Sequence, residues 1–257
     1  MDYINEIDLE GSYVQSSEME SILDYCDSNS IIKPASHKLE VIDGLIMDLK
    51  SVGIWNKLDV FYLFSGDSAN TFKRINMKNP TAHYAGANGT LTWANDGVAG
   101  DGSTGWIDTN YISDANGVKR QLGDASIFGV MTYNGGRIWG CKDNLDDALN
   151  SIGGTEKRID GYFTNQNRTI PLGFVCIVRD GASSGVYYDS GITLNLSGGT
   201  NSLTTKANTI HRMRNDLYGS SKLACWGTGG ALSSDDVNMF KQMFNKYSFR
   251  IGLGELA

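Results

Sequence analysis

Residues 86–135 read GANGTLTWANDGVAGDGSTGWIDTNYISDANGVKRQLGDASIFGVMTYNG, and the punctuation of this stretch decides the fold class. Asn88-Gly89, Asp96-Gly97, Asp101-Gly102, Asn116-Gly117 and Asn134-Gly135 recur at short intervals, and each pair favours the positive φ of a tight hairpin turn. Between them, 91–94, 106–111 and 126–133 carry the β-branched and aromatic residues that suit strands. The same pattern continues downstream through Asp160-Gly161 and Asp180-Gly181, with strands expected at 173–178, 185–189, 192–196, 207–213 and 223–227. Upstream, LDVFYLF at 58–64 reads as a buried strand. No helix-length pattern separates these segments, so the expectation is an antiparallel sandwich or jelly roll, and a parallel α/β fold is excluded.

Two helices are expected to bracket this body. Leu39, Ile42, Leu45 or Ile46, Leu49 and Val52 recur at steps of three and four, with Lys38, Asp43, Asp48 and Lys50 facing away and Gly53 placed to end the helix. Near the C-terminus, Ser233 precedes Asp236 by three, a capping box with Asp in place of Glu. Val237, Phe240, Phe244 and Tyr247 then mark one face, which should lie over the sandwich. The simplest division is an acidic N-terminal attachment arm, 1–36, and one helix-flanked domain, 37–257.

Composition agrees with a turn-rich globular chain. Of 257 residues 31 are Gly and 3 are Pro, and 40% are hydrophobic. Apolar runs fall far short of the ~20 residues a membrane helix needs, and the opening MDYINEIDLE is acidic, so neither membrane insertion nor a signal peptide is expected. The net charge of −7 is localised: residues 1–36 hold eight acids and one base, and the remainder holds equal numbers of each. Without clustered Lys and Arg, nucleic acid is excluded as a partner. Cys26, Cys141, Cys176 and Cys225 are too scattered for a zinc site. In a chain without a signal peptide they read as reduced, with Cys176 and Cys225 buried in strands.

Three segments, in order, resemble a known family. They are VIDGLIMDLKSVGIWNKLDVFYLF (Val41 to Phe64), GVAGDGSTGWIDTNY (Gly97 to Tyr111) and ALSSDDVNMFKQMFNKYSFRIG (Ala231 to Gly252). Together they resemble concanavalin A-like jelly-roll domains of bacteriophage virion proteins. The shared motifs are Gly53-Ile54-Trp55, Leu58-Asp59, Gly100-Asp101-Gly102-Ser103, Ile107-Asp108-Thr109-Asn110 and Leu232-Ser233. The resemblance implies a mainly β, concanavalin A-like sandwich. It also implies a non-enzymatic structural role in a virion, as fibre, tail or capsid-decoration component, among other virion proteins. It transfers no ligand, because relatives on this fold differ in what they bind.

Candidate sites are few. Glu6-Ile7-Asp8-Leu9-Glu10 has the E-x-D-x-E form of laminarinase-like glycoside hydrolases, where alternate strand positions place carboxylates on one face. It sits in the arm, without a strand on each side to desolvate an acid, so docking acids are the preferred reading and no catalytic residue is assigned. His37, expected in a first helical turn, His83 in a loop and His211 in a strand stand far apart in sequence. Asp101, Asp108 and Asp114 lack EF-hand spacing, and no metal or cofactor is expected. Tyr133, Asn134, Arg137 and Trp139, with Tyr187 and Tyr188, offer stacking faces, an amide and a cation suited to a host surface glycan, although core or sheet packing is the preferred reading. In the arm, Ile4, Ile7, Leu9, Tyr13 and Val14, followed by Ile22, Leu23, Ile31 and Ile32, are too apolar for a solvating tail. They are expected to bury against a neighbour, either another copy in a dimer or trimer or a different virion protein.

Overall fold

The structure is a computed structural model that describes residues 15–141, 151–153, 156–159, 170–197, 203, 205–213 and 217–257. Among these residues the fold is mainly β, an antiparallel two-sheet sandwich with N- and C-terminal helices packed on it. The first sheet runs β12 (Thr193–Ser197), β11 (Ser184–Asp189), β10 (Gly173–Arg179), β6 (Ala125–Tyr133), β16 (Lys222–Gly229), β4 (Gly97–Gly100), β3 (Leu91–Ala94). Its further strand β1 (Leu58–Leu63) pairs with β16. The second sheet runs β2 (Gly86–Asn88), β5 (Trp106–Ile112), β13 (Ala207–Ile210), β7 (Arg137–Cys141), β8 (Ser151–Gly153), β9 (Glu156–Arg158), and a small ribbon pairs β14 (Arg212–Met213) with β15 (Leu217–Tyr218).

Helices α1 (Ser17–Ser28), α2 (Ser36–Ser51) and α5 (Ser234–Arg250) cover the outer face of the first sheet, giving three layers, and two single-turn helices, α3 (Asn70–Lys73) and α4 (Ser113–Asn116), follow β1 and β5. This explains why LDVFYLF is apolar throughout rather than alternating. Val60, Tyr62 and Phe64 point between the sheets, while Phe61 and Leu63 point at the helices. A strand buried on both faces shows no polar side. β6 and β10 are built likewise: Ile127, Met131, Val175 and Ile177 face the second sheet, and Phe128, Val130, Phe174, Cys176 and Val178 face the helices. β16 carries a bulge between Leu223 and Cys225, so Ala224 and Cys225 both serve the helical layer before Trp226 returns to the inter-sheet core.

The closing helix is as its sequence predicts. Ser233 and Asp236 form the reciprocal capping box, with the Asp236 amide donating to Ser233 Oγ at 3.2 Å and the Ser233 amide donating to Asp236 Oδ2 at 2.7 Å. Val237, Phe240, Phe244 and Tyr247 are buried. Phe240 lies 4.8 Å from the Phe128 ring and 5.3 Å from Phe174, the centre of an aromatic cluster joining helix to sheet. Each such buried ring contributes roughly 1.5–3 kcal/mol relative to exposure. α2 ends at Gly53, whose φ of 79° fits the left-handed terminus expected there. Trp55 then packs edge-on against Phe61 and closes the helix onto the sheet.

Several sequence expectations are corrected. The stretch 1–36 is not one arm. Residues 1–14, with Ile4, Ile7, Leu9, Tyr13, Val14 and the Glu6-Asp8-Glu10 motif, lie outside the described residues. From Ser16 onward the chain is built into the body: α1 buries Met19, Ile22 and Cys26 in the same core as α2 and α5. Ile22 therefore buries against its own chain, and Glu18 reaches Lys50 on α2 at 2.7 Å. Asp43, expected to face solvent, is buried because its carboxylate accepts from the Ser16 amide at 2.9 Å and from the Ser16 hydroxyl, fixing the start of α1. The strand expected at 207–213 breaks at His211, which takes φ 63° and separates β13 from β14.

The turn signals divide too. Gly89, Gly97 and Gly102 have the positive φ expected of them; Gly117, Gly135 and Gly181 do not. At Gly117 the demand is space, since a Cβ would stand 2.6 Å from the carbonyl oxygens of Ser113 and Arg120. Gly97, expected in a turn, also starts β4. Its φ of 141° excludes a side chain, and so does the Leu223 carbonyl oxygen, which would lie 2.2 Å from any Cβ there.

Candidate functional site

The aromatic residues singled out in the sequence do not assemble into one face. Trp139 is fully buried between the sheets, where its indole lies over Gly129 of β6; any Cβ at Gly129 would meet the ring at 3.3 Å. Tyr187 and Tyr188, adjacent on β11, point to opposite sides: Tyr187 into the inter-sheet core and Tyr188 toward the helices. Tyr133 is 55% exposed, and beside it Asn134 is spent on structure, donating to Ile170 O at 2.6 Å and accepting from the Gly136 amide at 3.1 Å. The side chain of Arg137 lies outside the described residues. Of the six, Tyr133 alone presents a large open aromatic surface; the burial of Trp139 and Tyr187 follows from the two-sheet core, which sequence spacing does not reveal.

The motif residues behind the family resemblance are ties within the fold. Asp59 accepts from the amides of Val118, Lys119 and Arg120 at 3.2, 2.8 and 2.9 Å, and from the Tyr111 hydroxyl at 3.0 Å. Asp101 gathers the Ser103, Thr104 and Gly105 amides and the Thr104 hydroxyl, and the Thr104 bonds with the other amides hold its carboxyl well below the usual carboxylate range. Asn110, at φ 53°, donates its side-chain amide to Tyr84 O at 2.8 Å and its backbone amide to Asp108 Oδ1 at 2.9 Å. Among the described residues no group of three or more His, Cys, Asp or Glu is placed to hold a metal ion. The three histidines serve separate places: His37 opens α2, His83 bonds Asn110 O in its loop, and His211 is buried against β4.

A cleft of about 850 Å³ lies at one end of the first sheet. It is made by the β3–β4 turn (Asn95, Asp96), the end of β6 (Met131, Thr132), the start of β10 (Leu172, Gly173), Ser190 after β11, and the tail Leu253 to Ala257. Its walls are held from behind. Thr132 Oγ1 donates to Asp96 O at 3.1 Å, and Lys222 Nζ meets both Asp96 carboxylate oxygens at 3.0 Å. Lys73, whose ammonium donates to Ala94 O at 2.7 Å, is buried enough that desolvation pulls its pKa down to about 8 against the pull of Asp67 and Asp96. The tail is clamped by Asn245, whose Oδ1 accepts from the Leu256 and Ala257 amides and whose Nδ2 donates to Glu255 and to Ala257 O.

This cleft combines a fixed carboxylate, an amide, hydroxyls and backbone groups with the apolar side chain of Leu172, which is 53% exposed. Its volume falls in the range of small-molecule sites. Acceptors and donors beside an apolar patch suit a polyhydroxylated ligand, whose hydroxyls bond in the plane of the ring while its C–H faces pack. Sequence reasoning missed this cleft, because its walls come from five separated segments and its residue types are ordinary turn residues.

No family model matches this chain, and no curated protein matches it. Solved structures similar to it include Trypanosoma rangeli sialidase in complex with sialic acid, 11% identical with a TM-score of 0.47. That match covers 84% of this chain and 40% of the sialidase, so the chain spans less than half of it. Domain 4 of AbnA, a GH43 extracellular arabinanase from Geobacillus stearothermophilus in complex with arabinotriose, is 11% identical with a TM-score of 0.39, covering 71% and 98% of the two chains. The Ca²⁺-bound exoplasmic/lumenal domain of VIP36 is 10% identical with a TM-score of 0.35, covering 70% and 94%. All three scores are below 0.5, and they assign no ligand or activity to this chain.

Proposed function

We propose that this protein is a non-enzymatic structural component of a bacteriophage virion whose β-sandwich body binds a host surface glycan. The observation that carries the binding role is the cleft at the end of the first sheet, where Asp96, Asn95, Thr132 and Ser190 surround open volume beside Leu172. Asp96 is the key acceptor: the Lys222 ammonium fixes its carboxylate without covering the cleft, a preorganised hydrogen-bond acceptor of the kind sugar hydroxyls require. The virion setting is supported by the ordered sequence resemblance, with residues 1–14 as the segment that docks onto another virion protein or a second copy.

An array of host surface polysaccharides tests the binding role. Wild-type protein is expected to bind at least one glycan, and Asp96→Ala together with Leu172→Ala to lose it while remaining folded. Binding unchanged in that double variant, or no binding to any host glycan, would remove the cleft from the reading. The docking role calls for a truncation at residue 14, not 36, because α1 belongs to the core. A Δ1–14 body that still enters particles as well as full-length protein would end the docking proposal.

A further inference from the structure

The first turn of α2, the last turn of α5 and the loop after β1 enclose a second, smaller cavity of about 200 Å³. Pro34, Val41 and Ile251 give it apolar walls; its polar lining includes His37, Lys38, Ser65, Asp67 and Arg250. Two features of this cavity have no use within the described fold. Ser65 is 2% exposed, yet its hydroxyl has no hydrogen-bond partner among the described residues, which is unfavourable for a buried polar group. The 16-residue α2 is preceded by Ala35, whose side chain supplies no acceptor, so its first turn, where His37 and Lys38 line the cavity, has no side-chain cap.

The surrounding charges complete the pattern. Lys38 Nζ bonds the Asp67 carboxylate and, at 3.2 Å, the Asp67 carbonyl, so this pair is internally balanced. Arg250 is then the surplus cation, with no ion pair among the described residues. Its guanidinium lies against Gly44 of α2, where a Cβ would stand only 3.0 Å from Nη1. A glycine in a helix interior is unfavourable relative to alanine, and here it makes room for the Arg250 guanidinium. Tyr247 donates to Ser65 O at 3.1 Å and holds the backbone of the floor in place.

We propose that this cavity is an oxyanion site, taking a sulfate, a phosphate or the carboxylate of an acidic sugar. The Ser65 hydroxyl, the uncapped amides at the start of α2, His37 and the Arg250 guanidinium are its donors. An anion satisfies the orphaned hydroxyl and the helix N-terminus together, and Arg250 neutralises it bidentately. Asp67 opposes the anion, and the bond from Lys38 offsets that charge. The site is independent of the glycan cleft, although Asn95 borders both.

The test is isothermal titration of the full chain with sodium sulfate, with glucuronate, and with glucose as a neutral control, at fixed ionic strength. The same titrations are made on Ser65→Ala and Arg250→Gln. Saturable binding of sulfate or glucuronate but not glucose is expected, weakened about tenfold or more in each variant. Sulfate alone would assign a free inorganic oxyanion, and glucuronate alone an acidic sugar. Ser65→Ala removes a hydroxyl without a partner, so its stability in anion-free buffer should equal or exceed that of wild type. Heats that do not saturate, equal affinity for glucose, or unchanged affinity in both variants would overturn the site.

Discussion

Burial of His211 gives stability a pH dependence whose sign follows from the structure. The residue sits between β13 and β14, with its amide donating to Ile138 O at 2.7 Å and its carbonyl accepting from Gly219 at 2.8 Å. Its imidazole is fully buried, Nε2 bonds Val98 O at 3.1 Å, and Nδ1 has no partner among the described residues. Charging the ring would bury a second N–H with no acceptor among the described residues. Desolvation therefore pulls its pKa down to about 4, with the Val98 bond acting weakly in the opposite direction. The unfolded chain takes up this proton near pH 6.5, the folded chain only near 4, so His211 contributes its full stability above 6.5 and loses it as pH falls toward 4. One proton of difference is worth about 1.4 kcal/mol per pH unit, so stability should drop by about 2 kcal/mol between pH 7 and pH 5, before most carboxylates titrate. Urea unfolding followed by tryptophan fluorescence at these two values measures it. His211→Asn, which tolerates the positive φ and does not charge, should flatten the slope while lowering stability overall. An unchanged slope in that variant, or a wild type with no loss down to pH 5, would refute the reasoning.

Other expectations follow from the same packing. Trp139→Ala should cost about 3–5 kcal/mol in urea unfolding, because it opens a cavity between the sheets; a variant of native stability that only loses ligand affinity would contradict the placement of its ring. Ser233→Ala removes half of the capping box and should lower stability by about 1 kcal/mol, read from the shift in unfolding midpoint and checked with Ser234→Ala as a neighbouring control. The Cys176 and Cys225 thiols are buried, and desolvation pushes both far above the ordinary thiol range, so neither should react with a disulfide reagent at neutral pH until the protein unfolds. Rapid labelling of either cysteine in the native protein, located by peptide mapping, would show that the layer of helices opens.

What the sequence determined by itself is the local grammar: Asx-Gly turns between short apolar runs, the capping box at Ser233, the glycine stop at Gly53 and the face Val237, Phe240, Phe244, Tyr247. Each is set by residues within one or two turns of one another, where φ preference and side-chain period act directly on the backbone. Tertiary structure decided what lies between distant segments. Trp139 became core rather than ligand platform because a second sheet lies over it, and Asp43 became a buried acceptor because Ser16 reaches it from 27 positions away. The residues after Ser16 joined the body because Met19, Ile22 and Cys26 meet a groove made by α2 and the first sheet. Both cavities likewise belong to the tertiary level. The walls of each come from segments far apart in the chain, and neither Asp96 beside Leu172 nor Ser65 beside Arg250 leaves a spacing in the sequence, because period and propensity record only what a residue's near neighbours require.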